Sequence, residues 1–288
     1  RRFQIDTNTV MRLDSGGFSI DWLQIEGPSL KLNASGFVSN NPYQILRINL
    51  EELNLDLLNS FGAKDKAQIE GQVNGEIIAN ELLGQPRFIS SVLLDSLRLN
   101  EQDLGQMELE SDYEHQSGKM SIDALMKLRK LEMVEVRGYY DNSAGGELDL
   151  NFNFNRFRLA ALEPFAAPIA ENLRGLATGT LSVKGPAVKP EIKGEFELPK
   201  AGMTISFLQT DYNLVGEPKL LLDNESIRFP NLELMDANHS VSYLNGEVRH
   251  KAFTDFYVDL QIDARNLLAL NTTAEREDAY YGKAYATG

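Results

Sequence analysis

The chain has no cysteine. That removes disulfides, thiolate chemistry and cysteine-ligated metals together, and it suits cytosol or periplasm equally. No run of 18 apolar residues occurs, so no segment reads as a bilayer-spanning helix. Histidine is scarce: His115, His239 and His250 share no metal-ligand spacing and read as surface or turn residues. Basic residues are outnumbered, with 28 Lys and Arg against 42 Asp and Glu, a formal net charge of −14 and a pI of about 4.7. Phosphate binding needs Lys and Arg gathered on one face, which argues against nucleic acid as a partner. The same deficit leaves no basic patch for anionic membranes. G-x-S-x-G, the P-loop and the dinucleotide fingerprint are all absent. Carboxylates are plentiful but scattered, and no pair stands out for acid–base work. Asn271-Thr272-Thr273 matches a glycosylation sequon, which carries no meaning if the source is bacterial. Trp22 is the one tryptophan and reads as core. The expectation is a chain without catalytic residues, metal or cofactor.

What is present is alternation. In Glu147 to Asn155, Leu148, Leu150, Phe152 and Phe154 alternate with Glu147, Asp149, Asn151, Asn153 and Asn155. A strand sends successive side chains to opposite faces, so this stretch has one apolar and one wet face; a helix would scatter them. The cadence recurs at Leu46, Ile48, Leu50 and at Phe256, Val258, Leu260, Ile262. Strands are predicted almost throughout from Phe18, with the turn-rich loop 141–146 delivering the Glu147 strand. Leu57–Phe61 reads as a short cap. Leu159, Leu162, Phe165, Ile169 and Leu173 sit at helical spacing, and Pro164 and Pro168 split that stretch into two short helices. Asn266–Leu270 reads as a further cap, and the tail to Gly288 as strand-like. Arg1-Arg2-Phe3 leads straight into strand-like Gln4-Ile5-Asp6, and both ends read as cut from something longer.

The strands form two copies of one plan. Gly71 and Gly175, Gly75 and Gly179, Pro86 and Pro190, and Phe61 and Phe165 all share one offset of 104 (179 − 75). Gly36, Gly138 and Gly246 give a looser third landmark. The units read as 1–45, the end of a preceding repeat; 46–153 and 154–264, two β-repeats; and 265–288, the start of the next. Such self-similarity points to a stacked, elongated architecture.

Gly179-Thr-Leu-Ser-Val-Lys-Gly185 followed by Pro190-Glu-Ile-Lys-Gly194-Glu-Phe-Glu-Leu198 resembles the G-x-L-x-V-x-G…P-x-(I/L)-x-G-x-(F/L)-x-L signature of the TamB family. TamB is the inner-membrane component of the translocation and assembly module and belongs to the AsmA-like group. Ile227 to Asp236, Leu244-Asn-Gly246, Phe253-Thr-Asp255-Phe256 and Leu268 onward to Gly288 resemble the same region of Bacteroidetes-type members. The resemblance runs from about Asn155 to Gly288 and is weaker before it. It implies a β-taco fold: an all-β sheet curled into an open hydrophobic groove. It also implies a periplasmic protein with an inner-membrane anchor outside this segment, phospholipid transfer between inner and outer membrane, and an Omp85-type barrel as a partner.

A sheet with one apolar face must cover it with a second layer or curl on itself, and the helical material is too little to cover so many strands. Twenty strands at about 4.8 Å would give a trough on the order of 95 Å. Its expected lining is Leu46, Ile48, Leu50, Leu148, Leu150, Phe152, Phe154, Phe196, Leu198, Phe256, Val258, Leu260 and Ile262. Alternating apolar residues in a β protein are more often plain core, so the groove rests on the repeat, the missing layer and the resemblance. Phospholipid acyl chains are the expected partner. Two other readings stand beside it: an assembly chaperone receiving outer-membrane strands on its sheet edges, and a structural β-solenoid with a dry, filled interior. A membrane barrel fits least, because its strands run about 9–11 residues between aromatic girdles.

Overall fold

A computed structural model describes residues 4–6, 8–14, 16–60, 68–100, 102–143, 145–167, 169–251, 254–273 and 281–288. The protein is nearly all β, built from open antiparallel ladders with only short helical turns. It divides into two compact units, Arg1–Phe152 with Lys184–Pro190, and Asn153–Val183 with Glu191–Gly288.

The first unit is a meander. β1 (Gln4–Ile5) and β2 (Val10–Asp14) both pair with β3 (Gly17–Gly27). The ladder then runs in chain order through β4 (Leu30–Ser39), β5 (Ile45–Asn54), β6 (Ile69–Asn80), β7 (Arg87–Leu99), β8 (Gln102–Glu114), β9 (Lys119–Leu128) and β10 (Leu131–Asp141). β11 (Glu147–Arg158) begins in this unit. No described pairing joins β1 or β2 to β10, so the sheet is not a closed barrel. Bulges interrupt the ladder at Ile20/Leu23, Leu50/Leu53, Glu70/Gln72, Leu94/Leu97 and Glu132/Val134. A bulge bends its strand and sharpens the twist, and a series of them curls the sheet. Curling also shows in side chains: Ile20 on β3 and Leu46 on β5 share a cluster across β4, where Gly36 is the residue between them.

The second unit holds β12 (Ala170–Arg174), β13 (Leu176–Pro186) as far as Val183, β14 (Glu191–Glu197), β15 (Gly202–Ile205), β16 (Thr210–Val215), β17 (Lys219–Asp223), β18 (Ser226–Asp236), β19 (Val241–Lys251) and β20 (Thr254–Asp263). One side of β18 takes β17 along its start and β16 along its end; the other side takes β19, which pairs β20. β14 pairs β17, and β12 pairs β15, which pairs β16. β21 (Leu267–Thr272) and β22 (Gly282–Ala286) form a separate two-stranded sheet.

The internal repeat carries into backbone packing. A Cβ on Gly75 would lie 2.6 Å from the Ser91 carbonyl oxygen, and one on Gly179 would lie 2.1 Å from that of Glu195, the position 104 residues on. The 3-10 turns Leu55–Ser60 and Leu159–Leu162 start at the same offset, as do β7 and β14, each just after its proline. Phe61, one of the sequence landmarks, lies outside the described residues.

Several sequence expectations are corrected. The stretch Phe157–Arg174 is not two helices: among its described residues the helical part beyond the 3-10 turn is the one-turn α1 (Glu163–Ala166), and Ile169 and Leu173, read as helical, flank or lie in β12. Pro168 lies outside the described residues. Asn266–Leu270 is not a cap; most of it is β21. Leu94 and Leu97 belong to one strand, β7, with a bulge at which Ser96 takes φ 52°. Val10–Asp14 is a strand the pattern did not reveal. Trp22 is not core, being 44% exposed, and His250 is buried rather than on the surface.

Candidate apolar face

Strand register assembles the first unit's apolar face. Cross-strand neighbours in an antiparallel ladder share a face. From Leu46 one row runs through Ala79, Phe88, Tyr113 and Met120 to Tyr140. From Ile48 a second runs through Ile77, Ser90, Ser111 and Ile122 to Gly138. From Leu50 a third runs through Gly75, Val92, Leu109 and Ala124 to Val136. Gly138 then abuts Leu150, whose Cα is 2.9 Å from where a Cβ on Gly138 would be. Leu46, Ile48 and Leu50 thus share a face with Leu150, a hundred residues on, and Leu148 and Phe152, two residues to either side on β11, lie on that face too. The polar members Ser90 and Ser111 satisfy each other, Oγ to Oγ 2.7 Å.

This face is apolar but mostly only half-buried. Ile48, Leu50, Ile77, Phe88, Val92, Leu109, Ile122, Leu148, Leu150 and Phe152 are all of intermediate exposure, whereas Leu46, Ala79 and Ala124 are buried. The 3-10 turn Leu55–Ser60 covers one end of the strands, where Leu55 packs on Val73 and Leu97. Among the described residues of this unit no second sheet or long helix lies over the rest.

The opposite face is charged, and its charges are paired across strands. Arg87 holds Asp112 through two nitrogens, at 2.7 and 3.3 Å; Lys31 meets Glu51 at 2.8 Å, Arg98 meets Glu70 at 3.0 Å and Lys127 meets Glu108 at 2.8 Å. These pairs are exposed, so solvent screens them and they add little to stability. Their consequence is a wet face that stays wet.

In the second unit the expected lining residues divide. Leu198 is buried in a packed core with Tyr212, Leu214, Leu232, Leu234 and Leu244, and Phe196 and Leu260 pack against it. Phe154 meets Phe196 edge-on at 5.4 Å and Phe157 at 5.8 Å. On β20 the register sets Val258, Leu260 and Ile262 opposite Val248, Gly246 and Leu244. β20 has no described partner beyond β19, and Val258 and Ile262 are 50% and 45% exposed. Phe256 contacts the His250 ring at 6.4 Å. Part of the predicted set therefore lies in a filled core and part along an open sheet edge. A separate cleft of about 460 Å³ is lined by Asn231, Tyr243, Asn245, Gln261, Ile262 and Asp263, among others.

Two polar constructions escaped sequence reading. The Arg174 guanidinium binds both Asp211 carboxylate oxygens at 2.8 Å, and donates to Asn213 Oδ1 at 2.8 Å and the Tyr212 carbonyl at 3.1 Å. It lies flat over Gly202, where a Cβ would come within 2.6 Å of it. Asp236 is 1% exposed and accepts three backbone N–H groups: Asn238 at 2.8 Å, Ser240 at 2.9 Å and Leu268 at 2.8 Å. Both residues look like ordinary wet-face charges in the sequence, and no spacing distinguishes them. Among the described residues no group of His, Asp and Glu could hold a metal.

No protein-family model, no curated protein and no solved structure matches this chain.

Proposed function

We propose that this protein is a segment of a TamB/AsmA-like envelope protein that binds phospholipid acyl chains on its apolar sheet face, without catalysis. The observation carrying this reading is the first unit's apolar face: three cross-strand rows, mostly half-buried and, among the described residues, without a covering sheet or long helix. An apolar face of that extent on a soluble-looking, highly acidic chain needs an occupant. Acyl chains fit because hydrophobic contact is non-directional, so a tail can lie or slide along the rows. Each buried methylene contributes about 0.8 kcal/mol, and a 16-carbon tail gains roughly 10 kcal/mol. The head group stays in water at the margin of the face. Periplasmic placement, an inner-membrane anchor elsewhere in the full protein and an Omp85-type partner come with the family resemblance and belong to the proposal.

Mass spectrometry of an organic extract from the purified chain tests it. The expected result is phospholipid at one or more molecules per chain, reduced several-fold by Phe152→Asp with the circular dichroism spectrum kept. An open face hydrates a charge far better than a packed core does. A clean extract from folded protein overturns the reading, and global unfolding by Phe152→Asp identifies Phe152 as plain core.

The open edge of β20 favours a second reading, reception of an unfolded outer-membrane strand by β-augmentation. Crosslinks from a barrel-strand peptide to β20, rather than lipid in the extract, would select it.

A further inference from the structure

In the second unit the apolar face is closed. Leu214 on β16 faces Leu234 on β18, Leu232 on β18 faces Leu244 on β19, and all four are buried. The residues that close it include Leu267, 3% exposed, and the partly buried Ala286, both from the β21–β22 hairpin. That hairpin is a sheet of its own and does not extend the ladder beneath it. One residue fastens it through both its main-chain groups: the Leu268 N–H donates to Asp236 Oδ2 at 2.8 Å, and the Tyr212 hydroxyl donates to the Leu268 carbonyl at 2.8 Å. A further main-chain bond, Asn271 N–H to the Leu208 carbonyl at 2.9 Å, sits near the far end of β21. On the same closed face, opposite Leu234, the fully buried Ser242 hydroxyl has no hydrogen-bond partner among the described residues. A buried donor without a partner is a standing cost that opening to water removes.

We propose that the β21–β22 hairpin is a displaceable lid whose docking and acyl-chain binding on the second unit exclude each other. This rests on the acyl-chain reading above. Leu267 and Ala286 occupy the surface an acyl chain would take, with the same non-directional contact, so a tail can replace them without remodelling the sheet. The clasp on Leu268 sets the balance. Two side chains and the Asn271–Leu208 main-chain bond hold the lid, none of them part of the ladder, so it lifts without breaking the sheet. A ligand that binds only the open state pays for opening in apparent affinity, and loosening the clasp raises that affinity.

The test uses palmitic acid bearing a diazirine in its chain, with labelled positions mapped by mass spectrometry after irradiation. Three forms are compared: the unmodified chain, Tyr212→Phe, and a Leu208→Cys/Asn271→Cys variant closed by a short bis-maleimide. The expected result is first-unit labelling in all three. Labelling at Leu234 and Leu244 should be weak in the unmodified chain, about tenfold stronger in Tyr212→Phe, and absent in the crosslinked form. Equal labelling of Leu234 and Leu244 in all three, or none in any while first-unit labels persist, overturns the lid. Absence of label everywhere removes the acyl-chain reading instead. Hydrogen exchange then decides for the lid: β21 amides exchanging no faster than those of β16, and unaltered by Tyr212→Phe, overturn it. If Tyr212→Phe unfolds, the dicysteine variant before and after crosslinking supplies the comparison.

Discussion

A methyl group at Gly179 would stand 2.1 Å from the Glu195 carbonyl oxygen, and one at Gly75 would stand 2.6 Å from that of Ser91. In both places the obstacle is backbone, which cannot swing aside like a side-chain tip. Gly179→Ala is expected to cost about 2 kcal/mol and Gly75→Ala somewhat less, read as a shift of the urea midpoint. Gly84→Ala is the control: its nearest neighbour is the Asn40 side chain at 3.4 Å, and it should be near neutral. These glycines were visible in the sequence as a repeat, but their reason was not, since the carbonyl each must avoid belongs to another strand. Arg174 shows the same limit. Nothing local marks it out, yet its planar fork spans Asp211, Asn213 and a backbone carbonyl, a geometry lysine cannot reproduce.

At the scale of elements, alternation was enough to read most strands, because one face of each is apolar and the other wet. It failed where a ladder overrode local spacing. β12 reads as helix by its leucine and isoleucine positions, yet its backbone finds partners on β15, and those bonds decide the conformation. Leu267-Leu268 gives no alternation because both side chains are buried, so β21 could not be told from a cap. The clasp that seats β21 makes a pH-dependent prediction. Burial pushes the Tyr212 phenol up from its ordinary value of 10.0, with Asp236 adding to the effect and Thr210 opposing it. The folded state therefore favours the neutral phenol. That contribution is intact below about pH 10 and is lost as pH rises through the raised value. The second unit should lose stability at alkaline pH, and Tyr212→Phe should flatten the loss, as followed by alkaline denaturation monitored with circular dichroism.

At the scale of the whole molecule, a net charge of −14 makes acid the milder direction for self-repulsion, yet specific carboxylates oppose acidification. Burial tends to raise the Asp223 carboxyl. Hydrogen bonds from the Glu225 and Ser226 N–H groups and the Ser226 hydroxyl, with the Arg228 charge, outweigh it and hold the group below its ordinary 3.8. The hydroxyl and N–H of Ser143 do the same for Asp141. A depressed folded value means stability that is present above about pH 4 and lost as pH falls through the lowered values. Acid titration of thermal stability should decline below about pH 4, and Asp223→Asn should blunt that decline.

The sequence by itself determined that the protein is β throughout, that its strands have two unlike faces, and that its plan recurs after 104 residues. Those properties follow from side-chain alternation and from glycines and prolines, which act locally. Only the tertiary structure decided which strands are neighbours. Register brought Ile48 and Leu150 onto one half-open face, placed Leu198 in a closed core, and turned Asp236 from a surface carboxylate into a buried clasp. Those outcomes depend on which backbone lies next in the ladder and on what covers the face, and neither is written in the spacing of residues along one strand.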